Sequence, residues 1–256
     1  MRIKDEALSK LNSLRETAPD AVLFKWLPFL TMEFFRRYFR LEIEGTENIP
    51  RRGSAIIAPN HSGYAGLDAL LLAHVSHHEA KRIARILTHR FWFKSKITSM
   101  PFQKLGFLEA SYENGLHSLQ KNNVVIVFPE GEDGNFKPSS RMYQLQKFKT
   151  GFVRMALETQ SPIIPTLVIG AEETHINLSQ LKLSGFVRGL SLPLPLNIIP
   201  LPVKWKFKFL PPVFLPYQKS AAEDRELVYD LASEIQEQMQ EALNDEVRKR
   251  GGNILI

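Results

Sequence analysis

The chain has 256 residues, 44% of them hydrophobic, which is enough to build one substantial core. Its formal net charge of +6 suits an anionic lipid surface, an anionic substrate or nucleic acid, but we find no nucleic-acid-binding module and no glycine-rich phosphate loop, and we expect no nucleic-acid partner. The absence of cysteine excludes disulfides, thiolate-bound metals and a cysteine nucleophile.

Residues 1–40 are predicted to form an N-terminal helical segment that associates with a membrane. The first six residues carry no apolar signal-peptide core, and residues 5–17 suit a short amphipathic helix. Residues 21–41 are dense in aromatic side chains and end in basic ones, but charges and Pro28 interrupt every apolar run before it approaches the roughly 20 residues of a spanning helix. This pattern indicates an interfacial segment; the alternative is an ordinary helix buried against its own domain.

Beyond residue 40, apolar stretches of strand length alternate with helical patterns. We expect helices at 67–76, 112–120 and 150–160, and strands at 41–45, 54–58, 82–88, 105–110, 124–128 and 163–169. This alternation predicts an α/β fold in which helices flank a largely parallel sheet. Residues 41–256 are therefore expected to form one catalytic domain.

The chain changes character towards its end, where seven of the 16 prolines lie between residues 193 and 216. Within that region, residues 203–209 alternate between apolar side chains and lysines. The alternation predicts an antiparallel or edge strand with a basic outer face, and anion binding by that face is a further possibility. Residues 221–250 are predicted to form a charged amphipathic helix, packed through Leu227, Leu231, Ile235 and Met239.

The strongest chemical signal lies where the predicted strand 54–58 turns into the helix that follows it. Asn60, His61, Ser62 and Gly63 occupy this turn, and Asp68 begins the helix. Open α/β sheets place their sites at such turns. Imidazole accepts a proton near neutral pH, and a carboxylate can fix its tautomer and stabilise its positive charge. In the alternative interpretation, Asp68 only caps the helix and His61 is an ordinary loop residue.

Three further segments complete a pattern with this turn: residues 128–131 (Phe-Pro-Glu-Gly), residues 147–156 at the start of a helix, and residues 162–165 (Pro-Ile-Ile-Pro). Their order and separations resemble the phospholipid/glycerol acyltransferase family, the lysophosphatidate-acyltransferase-like enzymes, over about residues 38–216. The long histidine-to-aspartate spacing, residues 110–114 and 169–173, and the proline-rich run look most like its monoacylglycerol/diacylglycerol-acyltransferase-like branch.

This resemblance implies an O-acyltransferase at the cytoplasmic face of a membrane, attached peripherally or monotopically. The acyl donor would be a thioester, acyl-CoA or acyl carrier protein, and the acceptor a hydroxyl of a glycerolipid or lysophospholipid. No metal or other cofactor is implied. His61 would be the general base and Asp68 its orienting partner. Substrate-binding candidates are Asn60, Ser62, Gly63, Glu130, Gly131 and Lys149.

The loops around these candidates leave two roles open. The backbone N–H groups of residues 62–66, or those of Glu130 and Gly131, could stabilise the tetrahedral oxyanion. Glu130 could equally bind backbone amides and simply hold its loop.

Two departures from the family pattern affect the site. Six residues, 62–67, separate His61 from Asp68 where the family usually has four, so the loop must bulge, and its glycines make this feasible. Phosphate-reading members carry an arginine shortly after the glycine that corresponds to Gly106, but none follows here. A neutral or unusual acceptor is therefore favoured, and the candidate substitutes for phosphate recognition are Arg90, Lys94, Arg141 and Lys149.

Three alternative functions remain open at this stage. The His–Asp pair could activate water in a hydrolase, although no Gly-x-Ser-x-Gly elbow is present. A metal phosphoesterase could use oxygen and nitrogen ligands, but the recognisable short histidine–carboxylate spacing is missing. The chain could also be a non-catalytic lipid-binding protein. The ligands considered for the metal alternative are His61, Asp68, Glu130, Glu132 and Asp133.

Overall fold

The structure is a computed structural model that describes residues 23, 26–61, 66–135, 137–182, 191–197 and 199–251. The helix predicted at residues 5–17 lies outside these ranges, and so do the site candidates Ser62 and Gly63.

A seven-stranded sheet organises the fold. Its strands are β1 (Glu42–Glu44), β2 (Ala55–Pro59), β3 (Ala84–Thr88), β4 (Phe107–Glu109), β5 (Val124–Ile126), β6 (Ile163–Ile169) and β9 (Lys206–Phe209), while β7 (Asn177–Lys182) and β8 (Ser191–Pro195) form a separate antiparallel pair. The order across the sheet is β1-β9-β6-β2-β5-β3-β4, and all neighbours are parallel except β6 and β9. The predicted α/β fold with a largely parallel sheet is confirmed.

Helices cover both faces of this sheet. They are α1 (Leu27–Tyr38), α2 (Leu67–His78), α3 (Lys96–Lys104), α4 (Tyr112–Gln120), α5 (Glu132–Asn135), α6 (Gly151–Thr159) and α7 (Arg225–Arg250). One face packs against α1, α2 and residues 90–104, which we call the aromatic layer. The other face packs against α4, α6 and α7, which we call the charged layer. Because both faces are covered, β2 and β6 are buried along their whole lengths, as their apolar sequences predict.

The structure decides between the two predictions for residues 203–209, of which Lys206–Phe209 form β9: this strand is antiparallel to β6 and is not an edge strand. Their apolar side chains are buried as expected, but β9 lies between β6 and β1, so β1 is the edge strand. The lysines on the other face are neutralised, since Lys204 contacts Glu42 at 2.5 Å and Lys206 and Lys208 each contact Glu246 at 2.7 Å. These ion pairs occupy the face to which anion binding had been attributed.

The predicted interfacial segment contains α1, which packs inwards and exposes a stripe outwards. The Phe39 ring just after α1 stacks on buried Trp205, with 4.4 Å between ring centroids. The outer stripe consists of Trp26, Leu27, Leu30 and Phe34. None of the helices described is both long and apolar enough to span a bilayer. The two-part division at residue 40 stays a prediction.

Candidate active site

The candidate site lies at the carboxyl end of β2, where the topology brings three chain segments together. β2 has parallel neighbours on both sides, β5 and β6, so the residues that follow β2 and β5 meet at one edge. Asn60 is fully buried, and its side-chain amide donates to the Val168 carbonyl at 3.0 Å and accepts from the Val168 N–H at 2.7 Å. These bonds fasten the start of the turn to β6, and they direct the Asn60 amide towards the sheet.

His61 and Asp68 form a close pair across this turn. The distance from His61 Nδ1 to Asp68 Oδ2 is 2.7 Å, and the other carboxylate oxygen accepts from the Ala69 N–H at 2.8 Å. Asp68 is fully buried, whereas 15% of the His61 side chain is exposed. Gly66 precedes α2 with φ of +71°, a backbone conformation that suits glycine. The six-residue spacing therefore does not prevent the contact, and Asp68 is not the N-cap of its helix.

The loop that follows β5 supports His61 from two sides. The Phe128 ring stacks on the imidazole with 4.0 Å between centroids. Buried Glu130 accepts from the His61 backbone N–H at 2.9 Å and from the Gln146 N–H at 2.7 Å. Both carboxylate oxygens thus bind backbone amides, as the structural interpretation of Glu130 expected. The stacking of Phe128 was not predicted, although its position directly before the 129–131 turn was a signal for it.

A buried ion-pair network lies behind Glu130. The Lys137 ammonium is 2.8 Å from a Glu172 oxygen and 3.9 Å from Glu130 Oε2, and only 4% of the Lys137 side chain is exposed. Burial raises the pKa of Glu172 to about 7, although the nearby Lys137 and the Tyr143 N–H favour its ionised form. No sequence pattern links Lys137 with Glu172, because only the sheet topology brings their segments together.

Gly131 and Lys149 lie side by side in the same region. Gly131 has φ of +60°, and a Cβ built at this position would be 2.5 Å from Lys149 Nζ. The Gly131 N–H donates to the Phe128 carbonyl at 3.1 Å, so it is engaged within its own turn. Among the candidate oxyanion donors, the Gly131 N–H therefore already has an acceptor. Of the other candidate donors, those at residues 62–65 lie outside the described residues.

A second histidine–carboxylate pair, which was not predicted, links the loops that follow β3 and β5. His89 Nε2 is 3.2 Å from Glu132 Oε1, while His89 Nδ1 accepts from the Phe91 N–H at 3.2 Å. Both ring nitrogens are therefore engaged in local contacts. Within the described parts of the chain, no three His, Asp or Glu side chains gather in a way that could hold a metal ion.

The class of protein follows from this fold and from a family match. A family model described as Acyltransferase matches residues 40–169, about half of the chain. The chain belongs to the acyltransferase family, which confirms the resemblance to that family and the expectation of an enzyme of the acyltransferase class. The monoacylglycerol/diacylglycerol-acyltransferase-like branch stays a prediction.

The chain is also similar to proteins of mycobacteria. An uncharacterized protein of Mycobacterium tuberculosis strain H37Rv is 34% identical over 223 residues, covering 82% of this chain and 62% of the relative. One of Mycobacterium leprae strain TN is 32% identical over 229 residues, covering 84% and 62%. The chain thus spans 62% of the length of these curated relatives.

A solved structure shares the fold. The crystal structure of the 1-acyl-sn-glycerophosphate (LPA) acyltransferase PlsC from Thermotoga maritima matches with a TM-score of 0.50 and 22% identity, covering 84% of this chain and 81% of that chain.

Proposed function

We propose that this chain moves a fatty acyl group from an acyl thioester, acyl-CoA or acyl carrier protein, to a hydroxyl of a glycerolipid or lysophospholipid. The observation that carries the proposal is the 2.7 Å contact between partly exposed His61 and buried Asp68. An accessible imidazole can act as a general base, and a buried carboxylate can orient it and stabilise its protonated form. The family membership supports an acyl group as the unit transferred.

The proposed mechanism follows from which ring nitrogen is engaged. Because Asp68 binds Nδ1, the acceptor hydroxyl would give its proton to Nε2 as its oxygen attacks the thioester carbonyl. The Asp68 carboxylate would stabilise the resulting imidazolium. Collapse of the tetrahedral intermediate breaks the carbon–sulfur bond, and the imidazolium returns the proton to the departing thiolate. No covalent acyl-enzyme is needed, since the thioester is already activated.

The neighbouring candidates divide into positioning and substrate-facing roles in this proposal. Asn60 and Glu130 use their side chains to hold the two ends of the turn around His61, so we assign them to positioning. Lys149 is exposed and contacts the Gly131 turn, which makes it the best-placed cation to meet a polar acceptor head group. Arg90, Lys94 and Arg141 are also exposed, and a neutral acceptor remains the preferred class.

We also propose that the chain works at a membrane surface, through the exposed stripe of α1. Leu27, Leu30 and Phe34 lie at helical spacing on one side of α1, and each exposes more than half of its surface. Arg37, on the same helix, is largely exposed and lies 3.3 Å from Glu33, and Arg36 is paired with Glu79 at 3.0 Å. An apolar helical face with an adjacent cation suits the interface of an anionic bilayer.

Thiol release from an acyl thioester tests the proposed reaction. The purified chain should release thiol only when a hydroxylated acceptor is present, and mass spectrometry should find the acylated acceptor among mixed lysolipids, monoacylglycerols and diacylglycerols. In His61→Ala, kcat/KM should fall by about 10²- to 10⁴-fold while the circular dichroism spectrum is unchanged. An unchanged rate in this variant refutes the role of His61.

Two other functions predict different results in the same assay. A hydrolase would release thiol in water without any acceptor, again through His61. A non-catalytic lipid-binding protein would release none under either condition, yet would still bind vesicles.

A further inference from the structure

A second group of exposed apolar side chains lies beside the candidate active site. Residues Arg90–Phe93 form a short 3₁₀ turn directly after β3, and His89 at its start contacts Glu132, the first residue of α5. Phe91 exposes 37% and Trp92 exposes 40% of its surface. Neither ring takes part in the proposed proton transfer.

Packing on the inner side holds this turn in a fixed orientation. The Trp92 ring stacks on Phe102 with 4.8 Å between centroids and 13° between planes. The Phe102 ring in turn contacts the ring of Phe107, a buried residue of β4, with 4.9 Å between centroids. The indole is therefore anchored to the core on one side, and the remaining part of its surface is presented outwards without the entropy cost of ordering a free side chain.

The charges around the turn indicate what it contacts. Arg90 and Lys94, at its two ends, are exposed, and neither has an ion-pair partner within the described residues. Met100 on α3 is 55% exposed and belongs to the same segment, 90–104. An exposed indole flanked by unpaired cations matches the head-group region of an anionic bilayer, where aromatic rings lie at the interface and cations meet lipid phosphates.

From these observations we infer that the 90–93 turn, with Lys94 and Met100, is a second lipid-contact surface, which sets the catalytic edge against an anionic bilayer. This inference rests on the proposed function, in which the acceptor is a membrane lipid. The turn and α1 belong to the same aromatic layer, so the two exposed apolar surfaces lie on the same side of the sheet. Two contacts would fix the orientation of the site relative to the bilayer, whereas α1 alone would allow the domain to rotate about a single contact.

Tryptophan quenching by lipid tests the surface directly. Of the three tryptophans, Trp205 is buried, and Trp26 and Trp92 are exposed. In Trp26→Phe, vesicles of phosphatidylcholine and phosphatidylglycerol with brominated acyl chains should quench most of the Trp92 emission. The matched control, Trp26→Phe combined with Trp92→Phe, retains only Trp205 and should show no quenching. Equal emission from Trp26→Phe on brominated and ordinary vesicles would overturn the inference.

Binding variants provide a second measurement that does not depend on aromatic packing. Arg90→Gln with Lys94→Gln changes only exposed side chains and should weaken binding to these vesicles by about tenfold at low salt. The control, Phe214→Ala with Tyr217→Ala, removes exposed aromatics outside the aromatic layer and should bind as the unmodified chain does. Unchanged vesicle binding by the charge variant would contradict a lipid partner. Adenosine 3′,5′-bisphosphate, the nucleotide part of CoA, tests the other anionic ligand. If the charge variant loses affinity for this soluble probe while its binding to vesicles is unchanged, the cations bind the donor and not lipid.

Activity separates failure of this inference from failure of the proposed function. A short-chain acceptor that stays monomeric in water requires no membrane surface, so Met100→Ser, which alters the proposed surface but none of the candidate head-group cations, should process it at the normal rate. If the unmodified chain releases no thiol with any acceptor, the proposed function is wrong, while the quenching result still decides whether this surface meets lipid.

Discussion

The two layers that cover the sheet differ sharply in what they expose. On the aromatic layer, α1 exposes Leu27, Leu30 and Phe34, and the 90–93 turn exposes two more large rings. On the charged layer, the 26 residues of α7 expose a single large apolar side chain, Tyr229. Large apolar exposure concentrated on one side of a protein marks a surface that meets a partner. The exposed apolar side chains of α1 and of the 90–93 turn are those that the proposed membrane contact requires, and α7 offers no comparable group.

The two layers also contribute different contacts to the candidate site. Asp68 lies on α2, in the aromatic layer, while the loop that carries Gln146 is held by α7. There, the Gln236 and Gln240 side chains accept from the Phe148 N–H at 3.0 Å and from the Leu145 N–H at 2.8 Å. The charged layer therefore acts on His61 only indirectly, through Gln146 and Glu130. Substitutions in the two layers should have different consequences.

The largest difference is expected between two Asp→Asn variants, one in each layer. Asp68→Asn removes the negative charge that stabilises an imidazolium and disturbs the His61 tautomer, so kcat/KM should fall by about 10²- to 10⁴-fold. Asp224→Asn changes the N-cap of α7, where asparagine caps as well as aspartate, and should leave kcat/KM unchanged. Steady-state thiol release measures both. Similar rates for the two variants would remove Asp68 from the mechanism.

A smaller loss, about tenfold in kcat, is expected for Lys137→Met, because this change removes the cation between Glu130 and Glu172. Its loss of thermal stability should depend on pH. Glu172 has a folded-state pKa raised to about 7 from its usual 4.5, so its ionisation costs stability as the pH rises from 4.5 to about 7. Without Lys137 that cost grows. The deficit in Tm should therefore be larger near pH 8 than near pH 6.

Lys137→Arg is the control for this variant, since it keeps the charge and should recover most of the activity. Equal Tm deficits at the two pH values would show that Lys137 acts through packing rather than through its charge.

The sequence was most informative where chemistry and periodicity are local. The turn carrying His61 and Asp68 was evident because a buried strand, a polar turn and a helix start lie within 15 residues, 54–68. The helix at 112–120 and the strand at 163–169 were predicted with the bounds that the structure has. In such segments the hydrophobic period alone decides the element.

Contacts that depend on the order of strands could not be foreseen. The three lysines that alternate along residues 203–209 predict a basic outer face, but Glu42, Glu44 and Glu246 come from distant segments and form ion pairs with them. Lys137 and Glu172 are likewise brought together only by the tertiary fold. Charges on one segment do not reveal their partners until the topology is known.

Vesicle binding by variants of α1 and α7 compares the outer surfaces of the two layers. Leu30→Ser with Phe34→Ser removes apolar surface from the exposed stripe of α1 and should weaken binding to anionic vesicles by about tenfold. Tyr229→Ser, the corresponding change on α7, should have no effect. Co-sedimentation at low salt measures both. If the two variants bind equally well, the asymmetry in exposure does not reflect a membrane contact.

The smallest effect on activity is expected when Glu246, on the charged layer, is replaced. This replacement should change the stability of the fold and not the rate. Burial opposes its ionisation, but hydrogen bonds from Lys206, Lys208 and Lys249 outweigh burial and lower the pKa of Glu246 to about 2. Because this folded-state pKa lies below the usual 4.5, ionised Glu246 stabilises the fold above about pH 4.5, and this contribution is lost as the pH falls towards 2.

Glu246→Gln should therefore lose about 1–3 kcal/mol of stability near neutral pH, with the rate per folded molecule unchanged. Chemical denaturation at several pH values should show the difference from the unmodified chain shrinking on acidification. The control, Glu241→Gln, alters an exposed carboxylate of the same helix and should change little at any pH. If the difference in unfolding free energy stays constant across this pH range, Glu246 stabilises β9 through packing. Its ion pairs with Lys206 and Lys208 would then contribute nothing through their charge.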